Sequence, residues 1–291
     1  MPNTVPHFLG AACALLMLAG LMSPPTVGQD AHPALPPWRI LVTNDDGIET
    51  KALAQLVAAL GEHGEVVVCA PDGNRSGSSH SVRAWTEPMA VKATEVEGAS
   101  LAFAVGGSPA DAVAYGLLEL GKQKPFDLVV SGINEGANVG ELSHYSGTVG
   151  AAMEAVYRGV PAVAVSQGGR TRDYAFSARF TANFVAQLRA HGTRPGVVYS
   201  INVPGVPEQE RKGVALRPMG GSYLVLRGWT ERKTPSGQSG AVAKLGLDRG
   251  APAGSDSEAY NQGYVTITPL QFDWTDRAAL LELGDWDLDA E

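Results

Sequence analysis

From residue 38 to about residue 204, short Val-rich runs alternate with segments patterned as helices, and no other feature narrows the fold as much. RILVT, EVVVCA, DLVVS, PAVAVS and GVVYSINVP are apolar on both faces. A strand tolerates that only when helices cover both sides of its sheet. Between the runs, TKALAQLVAALGEHG puts Leu53, Leu56, Val57 and Leu60 on one face and ends at glycine, and PADAVAYGLLELG sets Val113, Leu117 and Leu120 in register. GTVGAAMEAVYRG reads as a helix, as does DYAFSARFTANFVAQLRAHG, with Phe176, Phe180, Phe184 and Leu188 at four-residue spacing. MAVKATEV and LAFAV read as a β excursion in hairpin form. The expected class is α/β, with a parallel sheet flanked by helices. After residue 204 the rhythm breaks into Gly-, Ser- and Pro-rich sequence, read as irregular strands joined by mobile loops. GYVTITPLQFDWT then restores a strand, and a short helix is expected near TDRAALLEL.

The first 29 residues follow a different pattern. FLGAACALLMLAGLM is a fifteen-residue apolar run followed by SPPTVGQD. It is short for a bilayer span and suits the core of a cleaved secretory signal. Export to a periplasm or the medium is expected, with no stable membrane contact after cleavage; a cytoplasmic location is the alternative if this segment is not a working signal. Only Cys13 and Cys69 are present, so neither a disulfide framework nor a Cys-based zinc site is available. Cys69, inside EVVVCAPD, reads as a small buried hydrophobe. The formal net charge of −8 argues against an extended nucleic-acid footprint, so attraction for a phosphate has to be local.

Several known chemistries fail on their motifs. The position of a dinucleotide-binding G-x-G-x-x-G holds Asn44-Asp45-Asp46-Gly47, whose carboxylates repel a pyrophosphate unless a cation intervenes. GLLELGK matches P-loop spacing, but Gln123 follows in place of Ser or Thr and the segment sits on a helix. Neither G-x-S-x-G nor H-E-x-x-H occurs.

What remains is three loops, each after a parallel-type strand and so expected at one edge of the sheet. The first, in ILVTNDDGIET, ends a buried run with two carboxylates and a glycine that makes a tight turn easy. Adjacent oxygen ligands on such a turn suit a hard divalent cation. The second is APDGNRSGSSHSV and the third is GINEGANVGELSHYSGTVG. Together they offer the Ser76 hydroxyl, the Asn134 amide and a Ser146-Gly147-Thr148 helix start, whose free N–H groups and hydroxyls make an anion cradle. Oxygen ligands beside an anion cradle point to phosphate-ester chemistry.

These motifs, with GGSPADAVAYGL, YSGTVGAAMEAVYRGVPAVAVS and NQGYVTITPLQFDWT, resemble the SurE family of 5′/3′-nucleotidases over residues 38–276, in the family's motif order. The resemblance implies a Rossmann-like three-layer core over residues 38–205 and a C-terminal β-rich extension over 206–291, with strands used in oligomerisation. It implies one divalent cation, Mn²⁺ or Mg²⁺, per subunit on Asp45, Asp46, Ser76 and Asn134, with Asp45 and Asp46 also catalytic. Phosphate would lie against Gly77, Ser146, Gly147 and Thr148, with Asn44 and Asn138 as supporting or substrate contacts. The implied reaction is hydrolysis of nucleoside 5′-, and in some members 3′-, monophosphates by a homodimer or homotetramer. His80 and His144 are candidates to protonate the leaving group. A broad exported acid phosphatase or exopolyphosphatase, and a non-catalytic nucleotide-binding module, are the alternatives. The chain departs from the usual pattern at Ser108, at IETKAL and in the Gly/Ser-rich residues 234–257, which bear on base preference and subunit contacts.

Overall fold

The computed structural model describes residues 37–288 except 170, 171, 223 and 249. The segment expected to be a signal, residues 1–29 with Cys13, lies outside the described residues. A nine-stranded sheet runs through the described part. Its strands are β1 (Trp38–Thr43), β2 (Gly64–Pro71), β3 (Val91–Thr94), β4 (Leu101–Val105), β5 (Leu128–Asn134), β6 (Ala162–Gln167), β7 (Val197–Val203), β8 (Val214–Leu216) and β11 (Val265–Gln271). They lie in the order β3-β4-β2-β1-β5-β6-β7-β11-β8, with the six from β4 to β7 mutually parallel. β3 and β4 pair antiparallel, as the hairpin reading expected, and β11 runs antiparallel to β7.

Alternation in the strands sends side chains to two cores. Ile40 and Val42 of β1 join α1 (Lys51–Leu60) and α4 (Ala175–His191) on one face. Leu41 joins α2 (Pro109–Tyr115) and α3 (Gly147–Tyr157) on the other. The expected α1 stripe of Leu53, Leu56, Val57 and Leu60 is fully buried. The α4 stripe is rotated from expectation. Ser177, Ala178, Thr181, Ala182, Val185 and Leu188 face inward, while Phe176, Phe180 and Phe184 are only half-buried. Small residues let the helix lie close to its neighbours, and the rings fill its edge. Cys69 is fully buried, and burial pushes its thiol up to about 12, in line with an inert core residue. The P-loop look-alike, Gly116–Lys122, starts just past α2 on a π-helical turn, Gly116–Leu120, and Gly116 packs against Leu41.

Past residue 204 the irregular reading needs correction. β9 (Leu224–Lys233) and β10 (Ser239–Leu247) form a long antiparallel hairpin, separate from the main sheet. Within the stretch read as loop, Ser255 caps α5 (Asp256–Asn261) by accepting from the Glu258 N–H. Ser at the cap and acidic residues in the first turn overcome the flanking Gly and Pro. α6 (Arg277–Leu283) matches the expected last helix. No helix among the described residues is long and apolar enough to cross a membrane.

Candidate active site

Strand order reverses between β1 and β5: β2 and β4 lie to one side of β1, β5 to β7 on the other. The loops leaving β1 and β5 part there and open a crevice at the strands' carboxyl ends, where open α/β sheets bind ligands. The first loop is shaped by Asn44. Its Oδ1 accepts from the Gly47 N–H at 3.1 Å, and its Nδ2 donates to Gly47 O and Thr50 Oγ1 at 2.8 and 3.0 Å. Gly47 completes the turn at φ 110, and a Cβ there would sit 3.1 Å from Gly73 Cα. The turn carries both aspartates out of the strand's alternation and into one crevice.

Asp45 is 2% exposed. Its Oδ1 accepts from Thr148 Oγ1 at 2.6 Å, and its backbone carbonyl accepts from the Arg75 N–H at 2.6 Å. Burial raises its pKa to about 6 against the pull of the Thr148 hydroxyl, with the neighbouring Asp46 charge adding to the rise. Asp46 is half-buried. It accepts from Asn74 Nδ2 at 3.1 Å and the Glu135 N–H at 2.9 Å. Burial raises its pKa too. Among the described residues no ion pair reaches either carboxylate.

Ser76 is exposed, and its N–H donates to Asn74 Oδ1 at 2.9 Å, so Asn74 ties it to Asp46. Gly77 follows at φ 76 with open space around it. Asn134 ends β5, past a register shift against β6 between Ser131 and Asn134, and its Nδ2 donates to Gly136 O at 2.8 Å. Gly132 before it admits no side chain, since a Cβ would sit 2.3 Å from Val165 O. Ser146 caps α3 by accepting from the Val149 N–H at 3.1 Å. Gly147 lies against the carboxylate itself: a Cβ there would stand 2.8 Å from Asp45 Cβ, 2.9 Å from Asp45 Oδ2 and 2.6 Å from Ser78 Oγ. The three loops therefore converge. Asn138 is held within the scaffold, with Nδ2 donating to Ser166 Oγ at 2.9 Å and its N–H to Asn202 Oδ1 at 2.7 Å.

The donor set is two carboxylates, a hydroxyl and an amide, all hard oxygen. Among the described residues no group of three or more His, Cys, Asp or Glu side chains is arranged to hold a metal, so a soft-ligand site is not what the loops build. Two adjacent carboxylates, one buried and one half-buried, with no ion-pair partner among the described residues do fit a Mg²⁺- or Mn²⁺-like ion, which would supply the missing charge. The sequence reading missed Asn74, which spans Asp46 and Ser76, and the bond from Thr148 to Asp45. Asn74 lies inside APDGNRSGSSHSV, but its role needs the loop's folded shape. His80 Nε2 stands 2.7 Å from buried Glu154, and His144 meets Trp274 edge-on at 5.7 Å.

The model of the family described as "Survival protein SurE" matches residues 40–224. The chain belongs to the SurE family. The 5′-nucleotidase SurE of Aeromonas hydrophila is 38% identical over 251 residues, covering 85% of this chain and 98% of the relative. The 5′-nucleotidase SurE of Desulfatibacillum aliphaticivorans is 40% identical over 252 residues, covering 85% and 97%. The crystal structure of the SurE protein from Aquifex aeolicus superposes with a TM-score of 0.71 at 32% identity, covering 85% of this chain and all of the other. The SurE match thus includes all three loops of the crevice.

Proposed function

We propose that this SurE chain releases phosphate from nucleoside 5′-monophosphates with a divalent cation held by Asp45, Asp46, Ser76 and Asn134. It is a phosphoric monoester hydrolase, as are the 5′-nucleotidases it resembles over nearly their full length. The observation that carries the cation is the adjacent carboxylates of buried Asp45 and half-buried Asp46 at the topological switch point, with no ion pair among the described residues. When bound, such a cation polarises a phosphoryl oxygen and makes a water acidic enough to attack at neutral pH. Asp45, held by Thr148, and Asp46, held by Asn74 and the Glu135 amide, keep their oxygens fixed on that position. One of the two orients the attacking water. The Gly147 N–H and the α3 dipole, with Ser146, Thr148 and Gly77, steady the phosphate charge as the leaving oxygen departs. Asn44 and Asn138 position these loops.

Phosphate release from AMP by the mature chain, with Mn²⁺ or Mg²⁺ and then with excess chelator, tests this reading. Turnover with metal and its loss with chelator are expected. Binding of AMP with no phosphate release under any divalent cation would leave a binding module instead. A homodimer or homotetramer, built on the exposed apolar side chains of the β9–β10 hairpin, belongs to the same proposal. So does export after removal of residues 1–29, which N-terminal sequencing of the secreted chain would test.

A further inference from the structure

A cavity of about 350 Å³ opens beside the start of α3. Ser146, Val149, Gly150 and Met153 form one wall; their spacing puts them on a single helix face. The intervening Gly147 and Thr148 face Asp45 instead. The helix start is thus shared: one side meets the carboxylates, the other lines the cavity. The lining also carries the rings of His80, His144, Phe272 and Trp274. Phe272 stands edge-on to His80 at 6.3 Å, and Trp274, 76% exposed, stands edge-on to His144 at 5.7 Å. Gln271 and Ser143 add polar groups to the lining, and Met219 adds an apolar one. A flat ring with polar edges suits a lining of this kind, and the volume falls in the range of small-molecule sites.

We propose that this cavity is the base-binding half of the nucleotide site. The purine or pyrimidine ring rests against His144, Phe272 and Trp274, while the ester phosphate lies at Asp45, Ser146, Gly147 and Thr148. The proposal rests on the nucleotidase reading and deepens it. Ser146 borders both halves, so the sugar of a nucleoside 5′-monophosphate bridges them. Trp274 is a specificity residue here, since covering its exposed indole rewards a substrate that carries a base.

Steady-state hydrolysis of AMP and of ribose 5-phosphate, which has the phosphate and sugar but no base, tests the assignment. Trp274→Ala, at an exposed position where folding is preserved, is expected to raise KM for AMP about tenfold, as loss of one base–aromatic stack does. KM for ribose 5-phosphate and both kcat values should stay within about twofold. Met219→Trp, which fills the cavity, should have the same selective effect. Equal changes for both esters, or none for AMP, would overturn the assignment. A shift in oligomer mass accompanied by equal KM changes would overturn it in favour of a contact between copies. If the parent chain cleaves neither ester with a divalent metal, the nucleotidase reading fails and takes this one with it. A parent active on both esters, with variants that do not discriminate, sinks the cavity alone.

Discussion

Asp45 is an acid at a position where water is excluded, and its chemistry follows from that. Its folded pKa, about 6, lies above the ordinary 3.8 because burial penalises the charge. Between those values the folded chain holds more protons than the unfolded one. Stability of the metal-free chain should therefore fall as pH rises from about 4 to about 6, by on the order of 3 kcal/mol. Urea unfolding at a series of pH values with chelator present checks this; a flat profile would contradict it. Protons compete with the cation for the same oxygens, so Mn²⁺ affinity should weaken as pH drops through 6. Titration calorimetry at pH 5 and pH 7.5 reads that difference. The two aspartates were legible in the sequence because carboxylates at the end of an apolar strand need a partner. Asn74 was not, because its two bonds, to Asp46 and to the Ser76 amide, exist only once its loop has folded.

The α3 helix meets the crevice loops at glycines as well as through the Thr148–Asp45 and Glu154–His80 bonds. A Cβ at Gly150 would lie 2.1 Å from Ser79 O and 2.8 Å from the His80 nitrogen, so the loop bearing Ser76 rests directly on the helix. Gly150→Ala should push that loop away, costing about 1–3 kcal/mol in stability. Because Ser76 and Asn74 move with the loop, Mn²⁺ affinity should fall as well, by about tenfold or more. Thermal unfolding and calorimetry on the same variant measure both; unchanged cation binding would detach the loop from the site. Glycine after a capping Ser was readable as a helix start, whereas the close approach behind it was not. The α4 helix gives the same lesson. Its Phe spacing suggested the wrong stripe, since Ser177, Ala178 and Thr181 are buried by proximity and not by hydrophobicity.

Over the whole molecule, the alternation of Val-rich strands and amphipathic helices was enough to anticipate the parallel core and the edge at which the three loops meet. The insertion of β11 between β7 and β8 was not, because antiparallel pairing across about sixty residues leaves no local mark. The hairpin was hidden by its Gly and Ser content. It presents Leu226, Trp229, Val242, Leu245 and Leu247 to solvent, an apolar surface suited to a second subunit. Replacing residues 224–247 by a short Gly-Ser turn should yield a monomer by light scattering that still binds Mn²⁺; an unchanged oligomer mass would locate the interface elsewhere. The convergence of three separate loops on one ion is tested most directly by Mn²⁺ calorimetry on the full chain and on Asp45→Asn, with circular dichroism to verify folding. One equivalent per chain is expected for the parent, and binding weakened by at least about a hundredfold for the folded variant. Equal affinity in the two chains would contradict a shared cation site.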